Sequence, residues 1–154
     1  MVKKQRISSI YFSILGICTL IFGLLDIIVA IGGQNVSIGA LEIPADMFRG
    51  GWGGFIVLSS GLFYLSGCGN ISEIHQFSKI VMGSVLLWIV AGCDIFGMIC
   101  ESIPGGEEGP WFNTLGDFLG TYAPPYPPAI FLLPFSLVVI FCPFRKVNRK
   151  DTIK

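Results

Sequence analysis

The charged side chains divide the sequence into long apolar stretches. No Lys or Arg occurs between Ile7 and Arg49, and none occurs between Lys79 and Arg145. A helix needs about 20 predominantly apolar residues to cross the hydrocarbon core of a bilayer. The pattern predicts four transmembrane helices, at residues 8–32, 51–68, 78–100 and 126–144. We therefore expect an all-α fold, a four-transmembrane-helix bundle, with residues 1–154 forming one integral membrane domain.

Composition supports a membrane location. Hydrophobic residues make up 53% of the chain and charged residues only 13%, with a mean hydropathy of +0.74. This charged fraction is about half the usual share in soluble domains. So little polar surface cannot cover a water-soluble domain, and the expected surroundings are a lipid bilayer. We expect a multi-pass protein of the plasma membrane or an endomembrane.

The basic residues indicate an orientation. They cluster before the first segment and after the fourth, at Lys3, Lys4, Arg6, Arg145, Lys146, Arg149, Lys150 and Lys154. The loop 101–125 is acidic without any basic residue, and the loop 33–50 has two acids against Arg49. Since cytoplasmic loops carry the excess of Lys and Arg, both termini are predicted to be cytoplasmic and both loops external. The basic clusters are short juxtamembrane flanks, which gives no support to nucleic-acid binding.

Small residues recur at intervals of seven in the first three segments. The rows are Ser9, Gly16, Gly23 and Ala30 in the first segment, Gly53, Ser60 and Gly67 together with Gly54, Gly61 and Cys68 in the second, and Ser84 and Ala91 in the third. Helices in lipid gain little from hydrophobic association, so close backbone approach at small residues provides the packing. We expect these rows to hold the bundle together and to provide faces for oligomerisation.

Two acids interrupt the apolar pattern at equivalent positions. Asp26 follows Gly23 by three residues, and Asp94 follows Ala91 by three residues. Both carboxyl groups are therefore predicted to point into the bundle, at similar depth near the outer end. An ionisable residue inside a membrane is a functional-site hypothesis by default. One interpretation is an ion pathway lined by Asp26, Asp94 and Arg49. The other is structural, with each carboxyl bonded to a neighbouring helix or paired with Arg49.

Known catalytic and cofactor patterns are not found in the sequence. His75 is the single histidine, so a Ser-His-Asp set at membrane depth cannot be built. The glycine-rich stretch around Trp52 lacks the Lys and Ser or Thr of a phosphate-binding loop, and Trp52 is predicted to be an anchor at the membrane interface. The five cysteines have no metal-ligand spacing. We expect no enzyme activity, no cofactor and no metal.

Three residues are candidates for covalent modification. Asn35 begins the sequence Asn-Val-Ser in the first external loop and is a candidate N-glycosylation site. Cys68 and Cys142 lie at the ends of apolar segments, where S-acylation is the alternative to a packing role.

Several short motifs occur in an order that resembles the membrane-spanning four-domain A family. They are Leu15-Gly16-Ile17 through Gly23, Trp52-Gly53-Gly54-Phe55 followed by Ser59-Ser60-Gly61, and Lys79 leading into Val81-Met82-Gly83-Ser84. The resemblance covers roughly residues 14–100. It implies an all-α tetraspan protein that forms homo-oligomers, acts as a receptor-associated subunit and influences cation flux.

Two functional hypotheses follow. The first is a non-enzymatic four-span protein that associates with itself or acts as a subunit of a receptor or channel. The second is a cation channel, or a proton-sensitive ion-conducting subunit, that uses Asp26 and Asp94. The sequence identifies no small-molecule ligand.

Overall fold

The computed structural model describes residues 2–69, 71, 73–101 and 124–141, and this part of the chain is mostly helical. Its elements are α1 (Val2–Gly32), β1 (Val36–Ile38), β2 (Leu41–Ile43), a π-helical segment (Met47–Gly53), α2 (Gly54–Gly67), α3 (Ile74–Glu101), α4 (Pro128–Ser136) and α5 (Val138–Phe141). Two helical stretches are long and apolar enough to cross a bilayer, Arg6–Gly32 and Ile74–Cys100.

Helix α1 ends in a glycine motif. Gly33 has a φ of +69°, and its N–H donates to the carbonyl of Val29 at 3.0 Å. A left-handed residue directly after a helix is the usual C-terminal cap, and glycine adopts that conformation without steric cost. The cap ends α1 at Gly32, where the first segment was predicted to end.

A small β-hairpin occupies the loop after α1, which the sequence pattern did not predict. Strands β1 and β2 pair antiparallel with Val36 opposite Ile43 and Ile38 opposite Leu41, and Gly39 forms the turn with a φ of +61°. Strand β2 also binds the segment before α4, because Glu42 N–H donates to Tyr126 O at 3.0 Å and Tyr126 N–H donates to Ala40 O at 2.8 Å. We call the end of the bundle with this hairpin (Val36–Ile43) the hairpin end, and the end with the α2–α3 connection the turn end.

The second apolar segment differs from its predicted bounds. Helical backbone begins at Met47 in the π-helical segment, and regular α-helix begins only at Gly54. Asp46 caps the π-helical segment, since its Oδ1 accepts from the N–H groups of Phe48 at 2.9 Å and Arg49 at 2.6 Å. Helix α2 has 14 residues, about 21 Å at 1.5 Å per residue. The π-helical segment extends it at the hairpin end.

The fourth apolar segment is described in part. Helix α4 contains Pro134, and the helix is interrupted at Leu137 before α5 continues to Phe141. A proline inside a helix removes one backbone donor and crowds the carbonyl of the preceding turn, here that of Ile130. Pro128–Phe141 is a shorter apolar helix than α1 or α3. Residues 142–144, most of the loop 101–125 and the C-terminal tail lie outside the described residues.

The core lies where the four helices meet. Tyr64 and Phe12 are completely buried, and their rings stack with centroids 6.0 Å apart. Leu87 of α3 and Leu132 of α4 belong to the same buried cluster. Large apolar side chains also cover the outside of the helices, including Ile14, which is 58% exposed.

Candidate functional site

The row of small residues on α1 lies against the π-helical segment and α2 along its whole length. Ser9 Oγ donates to the carbonyl of Cys68 at 2.5 Å. A Cβ added to Gly23 would collide with the backbone N of Leu58, and one added to Gly50 would lie 3.2 Å from Ala30 Cβ. The helices can approach this closely only because the residues in the row have small side chains. The row is therefore used for packing within the chain itself.

Helix α2 uses its two rows for two different neighbours. A Cβ on Gly54 would lie 2.6 Å from Asp26 Cβ, and one on Gly61 would lie 2.7 Å from Leu20 Cγ, so this row faces α1. On the other row, Ser60 Oγ donates to Gly83 O at 2.7 Å, and a Cβ on Gly67 would lie 2.6 Å from Ile80 Cγ1. That second row faces α3. Gly53, at the hairpin end of this row, is packed less closely, because a Cβ added to it would lie 3.7 Å from Val90 Cγ1.

Three charged side chains meet inside the hairpin end. Arg49 Nε donates to Asp94 Oδ1 at 3.3 Å, and this salt bridge is partly buried. Asp26 is 4% exposed and Asp94 is 8% exposed, and their carboxyl groups are close enough to interact electrostatically. We call Asp26, Arg49 and Asp94 the charged cluster. The structure thus brings together all three residues that the sequence assigned to an ion pathway, and the Arg49 partner is Asp94.

Asp26 is the unusual member of the charged cluster. Its Oδ1 is buried and has no hydrogen-bond partner. The bare backbone of Gly54 lets α2 come directly against its Cβ, so this wall of the site contains no side chain. A buried carboxylate oxygen without a partner is costly, because it has lost its hydration without replacement.

An apolar layer separates the charged cluster from the rest of the interior. Val57 follows Gly54 by three residues on α2, and Ala91 and Leu87 precede Asp94 by one and two turns on α3. All three are at most 1% exposed. We call Val57, Leu87 and Ala91 the apolar layer. None of these three side chains carries a polar atom, and on α1 the next buried polar side chain toward the turn end is Thr19, whose hydroxyl donates to Leu15 O at 2.7 Å.

A second polar group lies beyond the apolar layer, and the sequence analysis identified only part of it. Tyr64 OH lies 2.9 Å from Ser84 Oγ, and Ser84 Oγ donates to Ile80 O at 3.1 Å. Trp88 Nε1 donates to Ser136 Oγ at 2.7 Å. Ser136 and Ser60 also lie close to the Tyr64 hydroxyl. We call Ser60, Tyr64, Ser84, Trp88 and Ser136 the hydroxyl cluster, which joins α2, α3 and α4.

Tyr64, Trp88 and Ser136 had no sequence signal of their own. Each lies among apolar residues, and a lone serine, tyrosine or tryptophan in such a segment is equally compatible with a lipid-facing position. Only Ser60 and Ser84 were identified, because they continue rows of small residues. Complete burial of Tyr64, Ser84 and Ser136 shows that these polar groups belong to the interior.

The remaining predicted residues differ in their exposure. Trp52 is 64% exposed and contacts Phe55 edge-to-face, and its role as an interface anchor stays a prediction. Asn35 is exposed, and its Oδ1 accepts from Ala45 N–H at 2.8 Å, so its amide also organises the loop. Cys68 is buried, and its thiol donates to Tyr64 O at 3.0 Å, so acylation would require the thiol to leave this position. Cys142 lies outside the described residues.

The site offers charge and hydrogen-bonding groups but no metal-ligand set among the residues that the structure describes. No group of three or more His, Cys, Asp or Glu side chains there is arranged to hold a metal ion. The arrangement can accommodate one positive charge near Asp26. Its contacts also connect α1, α2 and α3 at the hairpin end. No family model, curated protein or solved structure matches this chain.

Proposed function

We propose that this chain is a non-catalytic four-span integral membrane protein that acts as a subunit, associated with itself or with another membrane protein. The observation that carries the proposal is the inverted polarity of α1. Eight apolar side chains along it are at least half exposed: Ile7, Ile10, Ile14, Ile17, Ile21, Leu24, Ile28 and Ile31. The polar Thr19 and Asp26 on the same helix are 0% and 4% exposed. A helix with this distribution is stable in lipid, whereas in water so large an apolar surface would aggregate.

The packing supports four spans. The contacts of α1 with α2 and the π-helical segment extend from Ser9 to Ala30. These residues span about 30 Å of helix, the thickness of a bilayer core. If α1 crosses the membrane, the segment 47–67 packed along it crosses as well. The hydrogen bond between Trp88 and Ser136 joins α4 to α3, so α4 lies beside α3 within the thickness of the same bilayer. The basic flanks favour cytoplasmic termini, with the hairpin end outside.

Orientation can be tested with single cysteines. In a variant whose native cysteines are replaced by alanine, Ser37→Cys reports the hairpin end and Gly69→Cys the turn end. A membrane-impermeant maleimide added to intact cells should label Ser37→Cys, and it should label Gly69→Cys only after permeabilisation. Labelling of both positions in intact cells would contradict the four-span topology.

Association requires a surface that remains free after the bundle has formed. Most of the glycine and serine rows are occupied within the chain, so the exposed helix faces have to provide it. On α3 a Cβ added to Gly92 would meet nothing within 4 Å, and the adjacent Cys93 is exposed. Small residues on such a face allow a neighbouring helix to approach closely. The resemblance to the membrane-spanning four-domain A family is consistent with a subunit of this kind.

Matched leucine substitutions separate association from folding. Gly92→Leu should weaken association about tenfold, equivalent to about 1.4 kcal/mol, and leave thermal stability unchanged. Gly61→Leu should instead lower thermal stability, whether or not the protein associates. The measurement is cross-linking in native membranes together with oligomer size after reconstitution. A single-copy wild-type protein without any cross-linked partner would contradict the proposal.

The charged cluster supports ion conduction as a second candidate function. Two buried carboxyl groups near an external face would attract cations. The apolar layer argues against a continuous pathway through one copy. Conductance of reconstituted bilayers tests the candidate, with Asp26→Asn and Asp94→Asn as variants and Glu42→Gln on the hairpin as the control. Absence of current, or a current that neither variant changes, would contradict it.

A further inference from the structure

The charges inside the hairpin end do not balance among the cluster residues. The charged cluster contains two carboxyl groups and one guanidinium, and that guanidinium is bonded to Asp94. Asp26 is at least nine-tenths buried, and its Oδ1 has no hydrogen-bond partner. The charged cluster therefore lacks one positive charge or one proton. The atom without a partner, Asp26 Oδ1, is where it is missing.

We propose that the charged cluster binds one small monovalent cation, of the alkali type, at the Asp26 carboxylate. The inference deepens the functional proposal and rests on its membrane placement, but it requires neither association with a partner nor conduction. Alkali ions bind oxygen atoms that replace their hydration shell, and a carboxylate supplies such atoms. Because Arg49 already neutralises Asp94, one positive charge balances the cluster, which favours a monovalent over a divalent ion.

The surroundings of Asp26 determine how the cation enters and leaves. Toward the turn end, the apolar layer of Val57, Leu87 and Ala91 closes the site. Toward the hairpin end lies Arg49, whose side chain is 36% exposed while the Asp94 side chain is 10% exposed. Arg49 is the most exposed of the three cluster side chains, so the exchange route that we infer for the cation is at the hairpin end.

Arg49 has a defined role in this arrangement. It neutralises Asp94, so that the Asp26 carboxylate alone is left to attract the cation. Replacing it with a neutral residue of similar length, Arg49→Gln, should raise the affinity for the alkali ion about tenfold. A residue with a purely structural role would not produce this increase.

The test is the cation dependence of thermal stability of the full chain in nanodiscs. Wild-type Tm is measured in NaCl, KCl or LiCl against N-methylglucamine chloride, at constant ionic strength and fixed pH. A cation that binds only the folded state should raise Tm saturably, by about 3–6 °C for a chain of this size. Asp26→Asn should abolish the dependence, whereas the hairpin variant Glu42→Gln should retain it.

Other outcomes overturn the inference. A wild-type Tm that does not respond to the alkali cation, or that responds only to pH, means that a proton occupies Asp26. An equal response in Asp26→Asn places the cation elsewhere. If Asp26→Asn does not fold, line broadening of ²³Na⁺ by the wild-type protein, relieved by K⁺ or Li⁺, decides the question, and its absence overturns the inference. Cross-linking on the same samples distinguishes this failure from loss of association.

Discussion

The two sides of α2 illustrate different ways of holding helices together. Toward α1, Gly54 and Gly61 bring the backbones close together, and the atoms they approach are Asp26 Cβ, Leu20 and backbone atoms of α1. Toward α3, Ser60 and Tyr64 donate or share hydrogen bonds with Gly83 and Ser84. The first side depends on the absence of side-chain volume, and the second depends on specific polar partners. Added side-chain volume should therefore strongly destabilise the contact with α1. Substitutions on the α3 side should each remove a single hydrogen bond and cost correspondingly less.

The largest expected effect is steric and lies on the α1 side. In Gly61→Leu the added Cβ alone would lie 2.7 Å from Leu20 Cγ and 2.8 Å from the Leu20 backbone N. Because backbone cannot move aside as a flexible side chain can, we expect destabilisation of about 3 kcal/mol or more. Unfolding in detergent measures it. Gly92→Leu is the matched control. Equal losses of stability in both variants would show that the α1–α2 contact is no more sensitive to added volume than an exposed helix face.

The next effect is the loss of the indole bond on the α3–α4 contact. Trp88→Phe removes the donor to Ser136 and some packing, with an expected cost of about 1–2 kcal/mol. A double-mutant cycle with Ser136→Ala isolates the bond from the packing. A coupling energy indistinguishable from zero would show that the bond contributes nothing to stability.

A smaller loss is expected at the neighbouring hydroxyl pair. Tyr64→Phe removes the hydroxyl that contacts Ser84, while Ser84 keeps its bond to Ile80 O, Ser60 its bond to Gly83 O and Ser136 its bond to Leu133 O. No polar group is stranded, so we expect a cost of about 1 kcal/mol or less. Tyr11→Phe, which removes an exposed bond to Phe135 O, is the control and should cost less. The reverse order would contradict the assignment of the hydroxyl cluster to the interior.

The smallest effect is expected on the exposed side of α3. Gly92→Ala adds a methyl group that meets nothing within 4 Å, so stability should change by no more than about 0.5 kcal/mol. The same variant tests the proposed association surface, because a single methyl group can already separate two helices packed at glycine. A large stability loss would indicate that Gly92 is covered within the chain.

The spacing of residues determined which positions share a helix face. Rows seven residues apart fall on one side of any helix in such a bundle, and for this reason the small-residue rows and the inward direction of Asp26 and Asp94 followed from the sequence. The existence of α1 and α3 also followed from the sequence, because a helix is the structure expected for apolar runs of this length.

Only the tertiary structure decided which partner each face meets. It assigned one row of α2 to α1 and the other to α3, paired Arg49 with Asp94, and left Asp26 Oδ1 without a hydrogen bond. It also collected Tyr64, Trp88 and Ser136 into the hydroxyl cluster, and joined the hairpin to Tyr126. These contacts link residues far apart in the chain. Periodicity fixes the direction of a side chain on its own helix, whereas the neighbour it meets depends on how all the helices pack together.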